Sequence, residues 1–140
     1  MNVGTIMTSA LTTVASDASL AEAARLMRVA GVGVLPVVEG RELRGIITDR
    51  DIVVRAAAQG RDLAKTAVRE AMTATATCCK DTDTVESAAR AMAAAQVRRL
   101  PVKNADGALV GIVSLGDIAL NTSHAITGDT FAAIAYRADS

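Results

Sequence analysis

Aromatic side chains are almost missing from this sequence: it has no tryptophan, and Phe131 and Tyr136 are the whole class. Proteins that hold single-stranded nucleic acid stack bases on aromatic rings, and those that hold a duplex bring a surplus of Lys and Arg to its phosphates. Fifteen basic and fifteen acidic residues cancel here, so the composition argues against a nucleic-acid partner on both counts. No stretch reaches the roughly 18 apolar residues of a membrane helix. No cationic residue precedes Arg25 to begin a secretory leader. The expectation is therefore a cytoplasmic chain without a membrane partner.

Cysteine is as scarce. Cys78 and Cys79 are adjacent, a spacing that fits neither a C-x-x-C redox motif nor a zinc knuckle, and that closes into a disulfide only through a strained ring. In a strand the two point to opposite faces. With His124 as the one histidine, no metal site is expected. Proline occurs twice, each time inside the same tripeptide, "LPV".

That tripeptide is part of an internal repeat, the pattern to seek before any other. "IMT" at 6–8 returns as "AMT" at 71–73, "SLAEAARLM" at 19–27 as "TVESAARAM" at 84–92, and "LPV" at 35–37 as "LPV" at 100–102, all 65 residues apart. "RGIITDRDIV" at 44–53 then matches "VGIVSLGDIA" at 110–119, 66 residues apart. The added residue falls in the turn "KNADG", where an insertion costs little. The domains expected are a first repeat at 1–62, a second at 63–122 and a helical tail at 123–140, in which "GDTFAAIAY" forms an amphipathic helix over the core.

Each repeat reads as β-α-β-β-α. A short extended stretch ("LTTV", "ATCC") leads to a helix opened by Ser19 or Thr84, whose apolar positions recur on one face. Two strands joined by a glycine turn follow, then a second helix. The fold class expected is α/β, two such repeats packed sheet to sheet about a pseudo-twofold axis with clefts between them. The proline within each "LPV" forbids a ladder hydrogen bond, which suits a strand start or an edge near a ligand cleft.

The chemistry concentrates where the last strand meets the last helix. Thr48 and Ser114 stand as N-caps, with Asp51 and Asp117 at the third helical position, the register of a capping box. A purely structural account therefore exists. Against it, the capping box prefers Glu or Gln, and the intervening residues change from Asp49-Arg50 to Leu115-Gly116 while hydroxyl and aspartate both stay. An ionised carboxylate accepts two hydrogen bonds and so matches the vicinal hydroxyls of a ribose. A catalytic acid pair is disfavoured, because Asp49 has no acidic counterpart in the second repeat and no nucleophile accompanies it. No enzyme activity and no catalytic residue are expected.

The sequence M-T, D/S-x-L helix, L-P-V and G-I-[IV]-[TS]-x-x-D-I, present twice in order, resembles the CBS (cystathionine β-synthase) domain, and two in tandem resemble a Bateman module, most nearly in small stand-alone bacterial proteins. That resemblance implies a module sensing AMP, ADP, ATP, NAD or S-adenosylmethionine and requiring no cofactor. It implies ribose binding by Thr48, Asp51, Ser114 and Asp117, and base contacts from Thr12, Thr13, Val34, Leu35, Thr77, Cys78 and Leu100. It places phosphate on Arg98 and Arg99, whose paired guanidinium groups suit phosphate geometry; the alternative for the two is an exposed, salt-bridging strand end. The first repeat has Gly33 and Val34 there, so its site is expected to be weaker, empty, or charged by Arg50. A homodimer through the Ala-rich helices and an unidentified regulated protein are implied as partners. The alternative is a ligand-free dimeric interaction or stress protein in which the T/S-x-x-D motifs only cap helices.

Overall fold

The computed structural model describes residues 1–74 and 77–138, apart from the side chains of His124 and of residues 136–138. Among these the chain runs α1 (Val3–Ile6), β1 (Val14–Ala15), α2 (Leu20–Ala30), β2 (Val34–Glu39), β3 (Glu42–Thr48), α3 (Asp49–Arg55), β4 (Cys79–Lys80), α4 (Val85–Ala95), β5 (Arg99–Lys103), β6 (Leu109–Ser114), α5 (Leu115–Asn121) and α6 (His124–Ala138). The expected β-α-β-β-α order occurs twice. The two sheets are three-stranded, ordered β1-β2-β3 and β4-β5-β6, with one parallel and one antiparallel pairing in each.

The leading strands are shorter than expected and lie later in the sequence. "LTTV" contributes only Val14 to β1, and "ATCC" only Cys79 to β4; Ala76 lies outside the described residues. The helices start where the caps place them. Ser19 Oγ accepts from Glu22 N–H and Thr84 Oγ1 from Ser87 N–H, each at 3.1 Å. α2 ends at Gly31 with φ +68°, the left-handed turn that favours glycine. α4 ends at the equivalent Gln96 with φ +56°, a conformation that costs a side chain energy.

The chain divides into two compact units. One comprises Thr12–Ala76, the other Met1–Leu11 with Thr77–Ser140, so the two "MT" segments have exchanged sheets. Thr8 N–H donates to Ile112 O at 2.8 Å and Ile112 N–H to Thr8 O at 3.0 Å. Thr73 and Ile46 make the matching pair of bonds, both 2.9 Å. The core of the first-repeat unit is built on Leu20, Leu35, Val37 and Ile47 with Val68 and Ala71 from the incoming segment. That of the other unit is built on Met92, Leu100, Val113 and Ile118, with Val3 from the N-terminus and Ile134 from α6. Fully burying a side chain such as Val3 or Val68 contributes about 1.5–3 kcal/mol. α6 is longer than the "GDTFAAIAY" helix expected, starting at His124 rather than beside Asp129, and it contributes Ile134 to this core.

This exchange explains the prolines. Pro36 and Pro101 lie inside central strands, not at a strand start or an edge as expected. Each stands opposite Ile46 or Ile112, whose own N–H and C=O turn outward to Thr73 or Thr8. The proline nitrogen therefore faces away from that neighbour, toward the side where β1 and β4 begin only at Val37 and Val102. No ladder bond is lost there.

Candidate functional site

The T/S-x-x-D motifs form the same local structure in both units. Thr48 Oγ1 accepts from Asp51 N–H at 3.0 Å while Asp51 Oδ2 accepts from Thr48 N–H at 3.0 Å. Ser114 and Asp117 repeat this reciprocal box at 3.1 and 2.9 Å. Aspartate is thus long enough to close a box in which Glu is the usual partner. The cap is real in both repeats.

What surrounds the boxes differs. In the second repeat, sheet register sets Arg99 directly across from Ser114, and Arg98 O accepts from Leu115 N–H at 2.8 Å. Two exposed guanidinium groups thus stand beside the hydroxyl-carboxylate pair. In the first repeat, Val34 faces Thr48 and Gly33 O accepts from Asp49 N–H at 2.9 Å. The Asp49 carboxylate fills the space beside Gly33, where an added Cβ would stand 2.8 Å from Oδ2. At equivalent positions one repeat presents Arg98 and Leu115, the other Gly33 and Asp49: the charge is inverted.

The aspartates differ as well. Asp51 Oδ1 lies 3.7 Å from Arg55 Nε, and Arg55 Nη1 also donates to the carbonyls of Ala71 and Met72 at 3.4 and 3.3 Å. In the second repeat the equivalent residue is Asn121, which donates to the Asp117 backbone carbonyl at 2.7 Å and leaves the carboxylate alone. Arg50 is exposed on the first turn of α3, its N–H donating to Asp49 Oδ1 at 2.8 Å. Gly33 and Asp49 stand out in the sequence as differences between the repeats, but their contact does not, nor does Arg55, whose counterpart Asn121 the same comparison extended by a few residues would have found.

The residues implied as base contacts divide by burial. Thr12, Val34, Thr77 and Cys78 are half-buried and Thr13 is exposed. Leu35 and Leu100 are fully buried in the two cores, so their side chains serve packing. The cysteines alternate as a strand requires: Cys79 enters the core, its Sγ 3.8 Å from Pro101 O, and Cys78 is half-buried. Burial pushes the Cys79 thiol up to about 11, with Asp83 adding to the shift, and burial raises Cys78 as well. Neither has the depressed value of a reactive thiol.

A cavity of about 650 Å³ opens beside the second motif, lined among others by Arg98, Arg99, Ser114, Gly116, Thr127 and Phe131. Asp117 is not in its wall, since its carboxylate turns back on Ser114. Arg98 Cζ lies 5.8 Å from the centroid of the Phe131 ring. Phe131, one of the two aromatics, is thus brought to the phosphate candidates by α6.

A family model for the CBS domain matches residues 3–57 and again 68–122. The chain belongs to the CBS domain family. CBS domain-containing protein YhcV of Bacillus subtilis is 44% identical over 115 residues, 82% of this chain and 81% of that protein. Among solved structures, Hypoxic Response Protein I with two coordinated zinc ions matches with TM-score 0.79 and 31% identity, over 88% of this chain and all of that one. CBSX2 of Arabidopsis thaliana in complex with AMP matches with TM-score 0.72 and 29% identity, over 85% of this chain and 93% of that one. The recognition drawn from the doubled motif thus holds. Among the described residues of this tandem CBS protein, no group of three or more His, Cys, Asp or Glu is placed to hold a metal ion, and no helix is long and apolar enough to cross a membrane.

Proposed function

We propose that this tandem CBS protein is a cytoplasmic regulatory module, not an enzyme, that binds an adenosine phosphate through its second repeat and acts on a protein partner. The observation that carries this reading is the register that sets Arg99 opposite Ser114, with Arg98 adjacent and Asp117 in the same turn. A carboxylate for a diol and paired guanidinium groups for a phosphate meet at one strand end. CBSX2, of the same fold, is a protein solved with AMP. In the first repeat, Asp49 repels phosphate and Arg55 shares the Asp51 carboxylate, which favours a structural role for Thr48 and Asp51 alone.

Thermal melting with AMP, ADP, ATP, NAD and S-adenosylmethionine tests the reading. A ligand at about 100 times its Kd should add about 2.7 kcal/mol. Asp117→Ala should remove that response and Asp51→Ala should retain it. Equal loss in both variants would make the two repeats equivalent sites. No response to any of the five compounds in the parent chain would leave the helix-capping interaction protein as the better reading.

A further inference from the structure

The family match ends at residue 122, and α6 follows it. This helix has no counterpart in the first repeat, and the second repeat differs from the first where it holds it. Where α2 closes on Gly31, α4 closes on Gln96 in the same left-handed conformation, and the Gln96 side chain donates to Ala133 O on α6 at 3.2 Å. Ile134 is buried in the core of this unit. α6 is therefore docked at a fixed place, and that place makes it one wall of the cavity beside Arg98 and Arg99.

The wall has the chemistry of an anion pocket. The guanidinium of Arg98 lies over the Phe131 ring, and a cation stacked on an aromatic face keeps the N–H donors around its edge available for an oxyanion in its plane. Arg99 and Ser114 border the same space. Thr127, also in the wall, has a buried hydroxyl without a hydrogen-bond partner among the described residues, and buried polar groups ordinarily have one. Gly128 adds no side chain to the lining, and a Cβ placed there meets nothing within 4 Å. A volume of about 650 Å³ is of the size that small-molecule sites have.

We propose that α6 completes a phosphoanion pocket on the second repeat, with Arg98 and Arg99 as the charged ligands and Phe131 as the residue that positions Arg98. The proposal rests on the nucleotide reading only for the source of the anion. The phosphoryl group belongs either to a nucleotide whose ribose reaches Asp117 or to a free phosphate or pyrophosphate.

Titration calorimetry on the full chain with pyrophosphate, AMP and adenosine separates these sources. Gly128 on α6 and Ala119 on α5 both line the space, and Gly128→Leu and Ala119→Leu should each weaken phosphoanion binding at least about ten-fold without lowering Tm, because Leu is a better helix former than Gly and close to Ala. Phe131→Ala should weaken it about two- to five-fold, the scale of an exposed cation–π contact, and Phe131→Trp should restore it. Pyrophosphate bound with this dependence while AMP is not bound supports the pocket and overturns the nucleotide reading. AMP bound with sensitivity to Asp117→Ala but indifference to Gly128→Leu, Ala119→Leu and Phe131→Ala overturns the pocket and leaves the nucleotide reading standing. Absence of binding by all three compounds overturns both.

Discussion

The exchange of the "MT" segments predicts that the glycine of each "GI" pair is fixed by backbone approach. Gly45 is buried and has no positive φ that would demand glycine. By conformation alone, Gly45→Ala should stabilise the fold by about 0.4–1 kcal/mol through the unfolded chain. The structure predicts the opposite sign. A Cβ on Gly45 would stand 2.5 Å from Thr73 O and 3.0 Å from Met72 Sδ, so the segment must retreat by nearly an ångström to reach ordinary contact. That retreat breaks or stretches the two bonds between Ile46 and Thr73, both 2.9 Å, each contributing about 1 kcal/mol net. Offsetting the entropy term leaves a loss of about 1–2 kcal/mol, or roughly 3 °C and more in Tm. Gly111→Ala should follow with a smaller loss, since it meets the flexible Met7 side chain first and Thr8 O at 2.9 Å second. Gly116→Ala serves as control: its Cβ meets only Ser114 Oγ at 3.6 Å, and a helical alanine should stabilise. Urea unfolding gives the free energies, and hydrogen exchange at Thr73 and Ile46 reports the bridge. A Gly45→Ala variant as stable as the parent, with Thr73 still protected, would refute the close approach.

Other expectations follow from single features. Ser114→Ala or Thr48→Ala should each cost about 0.5–2 kcal/mol in urea unfolding, as loss of an N-cap does, and equal costs in the two repeats would show that the caps are equivalent. Cys79 should resist alkylation at pH 8 in the folded chain, with Cys78 reacting before it, read by mass spectrometry; rapid modification of Cys79 would contradict its burial and its raised thiol value. The Glu39 carboxyl is held below its ordinary value chiefly by the Ser16 hydroxyl and then by Arg44, and that of Glu70 by the Ala67 N–H and then Arg61. The native state therefore binds fewer protons than the unfolded chain there, and stability should fall as pH drops through the carboxylate range. Glu39→Gln with Glu70→Gln should flatten that part of the pH profile. If copies pair through the Ala-rich helices α2 and α4, with Val29 of α2 69% exposed, sedimentation should show a dimer that Val29→Glu converts to monomer.

The element order was legible because it depends on local signals that the repeat states twice: caps at Ser19 and Thr84, glycine turns, apolar periodicity, and the T/S-x-x-D junction. The exchange was not, because a two-residue bridge such as Thr8 with Ile112 has no periodicity and joins positions about a hundred apart. Its trace in the sequence was present all the same, as an "MT" and a "GI" that recur together and whose glycines no turn requires. The length of β1 and β4 also escaped, since each is set only by the register it finds against β2 or β5. The role of Phe131 escaped for a different reason: the tail is unrepeated, so nothing in the first half could show which of its residues face the second.

Persistence of hydroxyl and aspartate in both repeats first read as the mark of a ligand site, and the structure changes the weight of that inference. A reciprocal box that satisfies two backbone N–H groups at a helix start constrains both residues whether or not any ligand binds. Thr48 and Asp51 are sufficiently explained by it, with Arg55 taking what the carboxylate has left. Evidence for a ligand must come from positions the cap does not constrain. At those positions the repeats have diverged in one direction, Gly33 against Arg98, Val34 against Arg99, Asp49 against Leu115. Capping alone gives no reason for two adjacent arginines on one strand end and a carboxylate at the matching place in the other repeat. A site for an anion on one side, and selection against one on the other, does give such a reason, and it makes the paired comparison of Asp51→Ala with Asp117→Ala more informative than either substitution alone.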